Sequence, residues 1–253
     1  MKERILQELG DTEKKHGVKI IFACESGSRA WGFASEDSDY DVRFIYVHPK
    51  DWYLSIEKKR DVIELPLHKV LDINGWDIRK SLRLLRKSNP PLLEWLSSPI
   101  VYRNVSSAMT PFIQLSKLSF LPESSCHHYL SMARNSMAMF NEKAETKIKN
   151  YLYALRSVLC CKWIIREMNQ PPMLLRDLVL KFFPSGEFRH FTDQLIQLKR
   201  DGSEASQVKR SMFFEDCLKK ELNELENNIP KNPNRMPVEK FDRVFKEILR
   251  KEL

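Results

Sequence analysis

The hydrophobic pattern begins with a short amphipathic stretch. Ile5, Leu6 and Leu9 recur at helical spacing, and His16-Gly17 supplies a stop, which predicts a helix over residues 2–16. Val18 to Cys24, VKIIFAC, is a continuous apolar run, as expected of a strand buried on both faces. The pattern then breaks into a polar, irregular stretch with a tight Gly-Ser turn, SGSRAWGFASEDS. From Asp39 to Val47 it resumes with a period of two. Asp39, Asp41, Arg43 and Ile45 fall on one face, and Tyr40, Val42, Phe44 and Tyr46 on the other, which predicts a strand. Asp61 to Leu67 and Lys69 to Ile73 read as a hairpin-like pair, with Pro66 confining the first strand to an edge. Ile78 to Lys87 is amphipathic: Ile78, Leu82 and Leu85 form an apolar stripe, and Arg79, Arg83 and Arg86 a basic one. Asn89-Pro90-Pro91 ends that helix, and Leu92 to Leu96 opens another that Ser97-Ser98-Pro99 closes.

From about Thr110 onward helical periodicity dominates. Helices are expected at about 111–118, 126–143, 146–168, 173–183, 188–200, 204–228 and 237–252. In the long helix at 146–168, Ile148, Leu155 and Leu159, joined by Tyr151 or Leu152, mark the core face, while Lys149, Tyr153 and Arg156 lie elsewhere on its surface. The expected fold is α+β: an N-terminal mixed sheet with flanking helices in residues 1–110, followed by an all-helical domain in residues 111–253.

Composition narrows the class. With 253 residues, 42% of them hydrophobic, the chain buries a substantial core. No apolar run reaches the roughly 18–20 residues that span a bilayer, and the N-terminus lacks the apolar centre of a signal peptide, so a cytoplasmic protein with no membrane partner is expected. Lys and Arg outnumber Asp and Glu by 42 to 34, and a net charge of +8 suits polyanionic partners such as nucleotides or RNA. Five cysteines at irregular spacing, without a CxxC, point to reduced and mostly buried thiols. A zinc site at Cys126, His127 and His128 is the alternative to a helix start there.

The candidate chemistry lies between Ser26 and Val47. Residues two apart on a strand point the same way, so Asp39 and Asp41 project together. Adjacent carboxylates repel and tend to keep a proton. A pair of Mg²⁺ or Mn²⁺ ions, about 3.5–4 Å apart in phosphoryl-transfer sites, removes that repulsion. Gly27 permits close backbone approach to a phosphate, and Ser28 offers a hydroxyl and an amide. The plainer reading of SEDSDYD is a solvated turn; the GSRAWG before it and the strand after it favour a metal site.

Gly27-Ser28 followed by Asp39-x-Asp41 resembles the signature of the DNA polymerase beta superfamily of nucleotidyltransferases. GSRAWGFASEDSDYDVRFIY, together with NGWDIRKSLRLLRKSNPPLLEWLSSPIVY (Asn74 to Tyr102), is similar more narrowly to its RlaP/YcgL-like subgroup. The likeness is dense from Ile20 to about Tyr102 and thinner beyond. It implies a third carboxylate on a neighbouring strand, with Asp72 favoured and Asp77, whose ordinary role is a helix N-cap, as the alternative. It implies NTP as substrate, with Gly27 and Ser28 at its phosphates. Arg29 either binds phosphate or pairs with Glu25, and Arg156 either touches the triphosphate or pairs with a carboxylate. Trp31 and Phe33 either stack on a base or anchor their loop on the core. An RNA 3′ end is the preferred acceptor. The alternatives are AMP transfer to a protein or small molecule, and a non-catalytic nucleotide- or RNA-binding or antitoxin-like module.

Overall fold

The computed structural model describes residues 1–67, 70–140, 144–203 and 205–252. The strand start expected at Lys69, and the parts of two expected helices at 141–143 and 204, lie outside the described residues. The chain divides into two compact units that are not consecutive in sequence. The first contains residues 1–30, 39–120 and 234–253, and the second contains 31–38 and 121–233. This differs from a single cut after residue 110, because the last helix returns to the first unit and an eight-residue segment near the N-terminus belongs to the second.

The first unit is built on a five-stranded mixed sheet of order β3-β4-β2-β1-β5. Helix α1 (Lys2–His16) ends on Gly17 with φ 60, a left-handed conformation in which glycine is unstrained. Strand β1 (Lys19–Glu25) follows, buried along nearly its whole length. Gly27–Trp31 forms a short helical turn, α2, where an irregular loop was expected. Strand β2 (Tyr40–Val47) pairs antiparallel with β1 and parallel with β4 (Leu71–Asp77). Between them come a one-turn helix α3 (Lys50–Tyr53) and β3 (Val62–Glu64), which is an edge strand antiparallel to β4, as Pro66 suggested. Helix α4 (Ile78–Leu85), helix α5 (Pro90–Leu96), strand β5 (Val101–Asn104) and helix α6 (Ser106–Leu118) complete this stretch, and β5 carries no period that marked it beforehand.

Strand β4 is longer than the expected KVLDI. The strand runs past Ile73, and Asn74 and Gly75 both continue the ladder. Gly75 lies opposite Phe44, and a Cβ there would sit 2.1 Å from the Phe44 ring. Glycine therefore makes room for an aromatic ring in the neighbouring strand.

The alternation along β2 sorts its residues between two cores. Val42, Phe44 and Tyr46 pack with Ile5 and Leu9 of α1. Ile45 and Val47 pack on the opposite face with Ile78, Leu82 and Leu85 of α4, Trp95 of α5, and Phe112 of α6. Phe241, Val244 and Ile248 of the final helix, α12 (Val238–Glu252), join that second core. α12 is pinned at its end by Glu252, which pairs with Lys19 at 2.9 Å and accepts from Ser107 at 2.5 Å.

Among its described residues, the second unit's regular structure is helical apart from one short strand pair. It contains α7 (Pro122–Ala138), α8 (Ile148–Glu167), α9 (Leu175–Phe182), α10 (Glu187–Asp201) and α11 (Met212–Glu226). Strands β6 (Glu145–Lys147) and β7 (Gln207–Lys209) pair antiparallel, where the expected helices at 146–168 and 204–228 begin. Cys126 is buried inside α7, which starts at Pro122, so Cys126, His127 and His128 lie within the helix and do not open it. Among the described residues, no helix is long and apolar enough to cross a membrane.

Candidate active site

The site grows from the parallel pairing of β2 with β4. Asp41 and Asp72 are register partners at the start of the two strands, so their side chains emerge side by side on one face. Asp39 precedes the strand with the same parity, is exposed, and acts electrostatically on Asp41. Of the three carboxylates Asp39, Asp41 and Asp72, the last two meet through a shared cation. The Arg43 guanidinium Nη2 donates to Asp41 Oδ1 at 2.9 Å and to Asp72 Oδ2 at 2.8 Å, while Nη1 donates to the Asp72 carbonyl at 3.2 Å. Arg43 lies two positions along from Asp41 on the same face, a parity visible in sequence, but its role as a bridge depends on which strand lies next door.

One guanidinium thus bridges two of the three carboxylates. Burial pushes the Asp41 carboxyl above its usual range; Arg43 opposes the shift, and Asp72 and Asp39 add to it. Behind Asp41 lies Glu25, which is fully buried at the end of β1. Its Oε1 accepts from the Asp41 amide at 2.7 Å, and its Oε2 accepts from the Tyr102 hydroxyl. Burial raises the Glu25 carboxyl as well, against those two hydrogen bonds. Glu25 thus fixes the backbone that carries Asp41. The sequence reading paired it only with Arg29.

Gly27 abuts this cluster. It has φ 59, and a Cβ on it would meet Asp41 Oδ2 at 2.1 Å. The Asp41 carboxylate therefore occupies the space that any other side chain at residue 27 would fill. Ser26 donates its amide to the Asp41 carbonyl at 2.8 Å, and Ser28 is largely buried in the same turn. Arg29 is half-buried. Its guanidinium lies 3.8 Å from the Tyr40 ring centroid, and Nε donates to the Asp39 carbonyl at 3.2 Å.

Other candidates lie elsewhere. Asp77 stands five residues beyond Asp72 and on the opposite face of β4, about 17 Å along a strand that rises about 3.3 Å per residue. It is wholly buried and caps α4, accepting from the Arg79 amide at 2.8 Å and from the Tyr53 hydroxyl at 2.6 Å. The structure does not bring Asp77 to Asp41. The start of α4 is correspondingly distant from Asp72, because β4 continues through Asp77. Trp31 and Phe33 are buried within the second unit, where Trp31 meets Tyr153 edge to face at 5.1 Å. Arg156 of α8 is buried there too, its guanidinium 4.3 Å from the Trp31 ring centroid and its Nε donating to the Met173 carbonyl at 3.5 Å.

The donor set suits a hard divalent cation, being all carboxylate oxygen with more negative charge than Arg43 balances. As they stand, no three Asp, Glu, His or Cys side chains among the described residues are gathered closely enough to hold a metal ion, and Arg43 bridges the two best-placed carboxylates.

The mixed sheet, with adjacent aspartates on parallel strands beside a glycine-serine turn, is a nucleotidyltransferase-type fold. The chain belongs to the RlaP family, the RNA repair pathway DNA polymerase beta family, which it matches over residues 1–247. It is 50% identical over 204 residues to the uncharacterized protein YcgL of Bacillus subtilis strain 168, covering 81% of this chain and 78% of that one. It also aligns with the crystal structure of a nucleotidyltransferase-like protein from Exiguobacterium sibiricum at 13% identity, covering 97% of this chain and 80% of that one. The TM-score of 0.30 is too low for that superposition to carry any argument.

Proposed function

We propose that this protein transfers a nucleoside monophosphate from an NTP to an acceptor hydroxyl, with an RNA 3′ end as acceptor. The observation that supports it best is the Asp41–Asp72 register pair, with Gly27 shaped around the Asp41 carboxylate. RNA as acceptor draws on the family's RNA repair description and on the net charge of +8.

Asp39, Asp41 and Asp72 would hold two Mg²⁺ or Mn²⁺ ions, which when bound supply Lewis-acid polarisation and neutralise the charge that develops on the phosphates. The remaining work falls to the chain. Gly27 and Ser28 receive the β- and γ-phosphates through close backbone approach and a hydroxyl. Arg29, stacked on Tyr40 beside Asp39, adds positive charge at the phosphates. Arg43 gathers Asp41 and Asp72 to one place. The acceptor oxygen forms a bond to the α-phosphorus as the bond to the β-bridging oxygen breaks. Pyrophosphate leaves with that electron pair, and the hydroxyl proton passes to Asp72. Arg156 is given no part at the nucleotide, because its guanidinium is buried against Trp31 and Met173.

The test is incubation with Mg²⁺, a short RNA and ATP labelled at the α-phosphate. Label should move onto RNA and be lost with Asp39→Asn combined with Asp41→Asn. Transfer that persists in the double variant overturns the site. Label on a protein or small molecule replaces the RNA acceptor and leaves the chemistry in place.

A further inference from the structure

We propose that the groove between α4 and α12 binds the phosphodiester backbone of single-stranded RNA. The proposal rests on the RNA-acceptor reading above and gives that acceptor a place on the protein.

The groove is a cavity of about 260 Å³ within the first unit. Its rim is basic: Arg79, Arg83 and Arg86 of α4 line it, and Asp242 of α12 is the one carboxylate among the described lining residues. The three arginines stand at i, i+4 and i+7, so they form one row along the helix, with successive steps of about 6 Å and about 4.5 Å at 1.5 Å per residue. Arg83 and Arg86 are exposed, and neither makes an ion pair among the described residues. Arg79 is half-buried and already ordered, with its guanidinium 5.4 Å from the ring centroids of both Trp52 and Tyr53.

The floor is apolar. Phe241 is buried and Phe245 half-buried, and Phe245 meets Tyr53 edge to face at 5.1 Å. A basic rim over an aromatic floor is the combination that tracks a single strand: guanidiniums take phosphates, and a half-exposed ring receives a base face. An ordinary solvated helix face would balance its charge with acids at i±4, and α4 contains none. The placement also suits an acceptor strand. Asp41 shares a face of β2 with Ile45, and Ile45 packs against Ile78, Leu82 and Leu85 of α4. The groove helices therefore cover the same side of the sheet that carries the carboxylates, with α4 starting from the far end of β4.

The experiment is fluorescence anisotropy of a labelled single-stranded RNA over a salt series, on the full chain. Arg83→Gln with Arg86→Gln should weaken binding. It should also lower the slope of log affinity against log salt by about 1.4, at about 0.7 per phosphate contact on a single strand. Both residues are exposed, and an unchanged melting temperature confirms that the variant is folded. Wild-type protein that does not bind RNA, or a groove variant with wild-type affinity and slope, overturns the proposal even if nucleotidyl transfer is observed. Groove-dependent RNA binding without transfer supports the groove and counts against the transferase reading alone.

Discussion

At the scale of single residues, the site depends on one missing atom and one extra charge. Gly27 has no Cβ where the Asp41 carboxylate sits, and its φ of 59 is unfavourable for any other residue. Gly27→Ala should destabilise the fold by about 1–2 kcal/mol through the left-handed backbone alone. It should also displace Asp41, so transfer should fall by far more than the stability loss explains, as read from initial rates on protein shown folded by circular dichroism. Wild-type rates in Gly27→Ala would mean that Asp41 does not need its present position. Arg43 makes the opposite point, since among the described residues it is the ion-pair partner of both Asp41 and Asp72. Arg43→Gln leaves those carboxylates to repel each other. Because both are about a third open to water, the expected loss is only on the order of 1 kcal/mol. Mg²⁺ should then raise the melting temperature of the variant more than that of wild type. Equal Mg²⁺ shifts would show that the carboxylates do not share a cation. Asp39 and Asp41 stand out in the sequence because strand parity and a Gly-Ser turn announce themselves locally, whereas Asp72 entered only as what the family resemblance implies, with Asp77 as its alternative. Arg43 as a bridge and Glu25 as a support do not stand out. Their roles exist only once β4 lies against β2 and Tyr102 of β5 lies against β1.

At the scale of elements, the decisive feature is the length of β4. Its extension through Asn74-Gly75-Trp76 carries Asp77 away from Asp72 and makes it the N-cap of α4. Asp77→Ala should cost about 0.5–2 kcal/mol, the usual range for a lost cap. The freed Tyr53 hydroxyl should place it toward the upper end, as measured by urea unfolding. A variant as stable as wild type would contradict the capping role. The apolar pattern stops at Ile73, so the extension is not visible in it, and the Phe44 ring opposite explains glycine in that strand. The pair β6–β7 was missed for a different reason. Three-residue strands are too short to show a period.

A second element-scale test is pH. Glu215 of α11 is buried and accepts from Arg210 at 2.6 Å and 2.8 Å and from Tyr151 at 2.6 Å. The hydrogen bonds from Arg210 come first in holding its carboxyl below the usual value, with burial opposing them. A depressed folded-state value stabilises the protein at pH above the unfolded value. That contribution fades as pH falls through the folded one. The stability gap between wild type and Glu215→Gln should therefore be full at neutral pH and shrink below about pH 4.5, the ordinary value for glutamate. A gap that stays constant on acidification would show that Arg210 does not hold the carboxylate charged.

At the scale of the whole molecule, the sequence separates a sheet-bearing half from a helical half, and the structure keeps that contrast while redrawing its border. Residues 31–38 belong to the helical unit because Trp31 and Phe33 pack on Tyr153, and Lys199 donates to Ser35 at 2.8 Å. The final helix belongs to the sheet unit because Phe241, Val244 and Ile248 complete the core over β1 and β2. Neither exchange leaves a mark in local periodicity, since each depends on which apolar surface lies opposite. The chain therefore leaves the first unit just after the glycine-serine turn and returns at Asp39, so that turn and the carboxylates belong to one unit. Whether that sheet performs nucleotidyl transfer is decided most directly by supplying ATP labelled at either the α- or the γ-phosphate, with Mg²⁺ and RNA, to wild type and to Asp41→Asn with Asp72→Asn. The α-label alone should reach RNA, and only with wild-type protein. Transfer of the γ-label, or α-label transfer undiminished in the double variant, would contradict it.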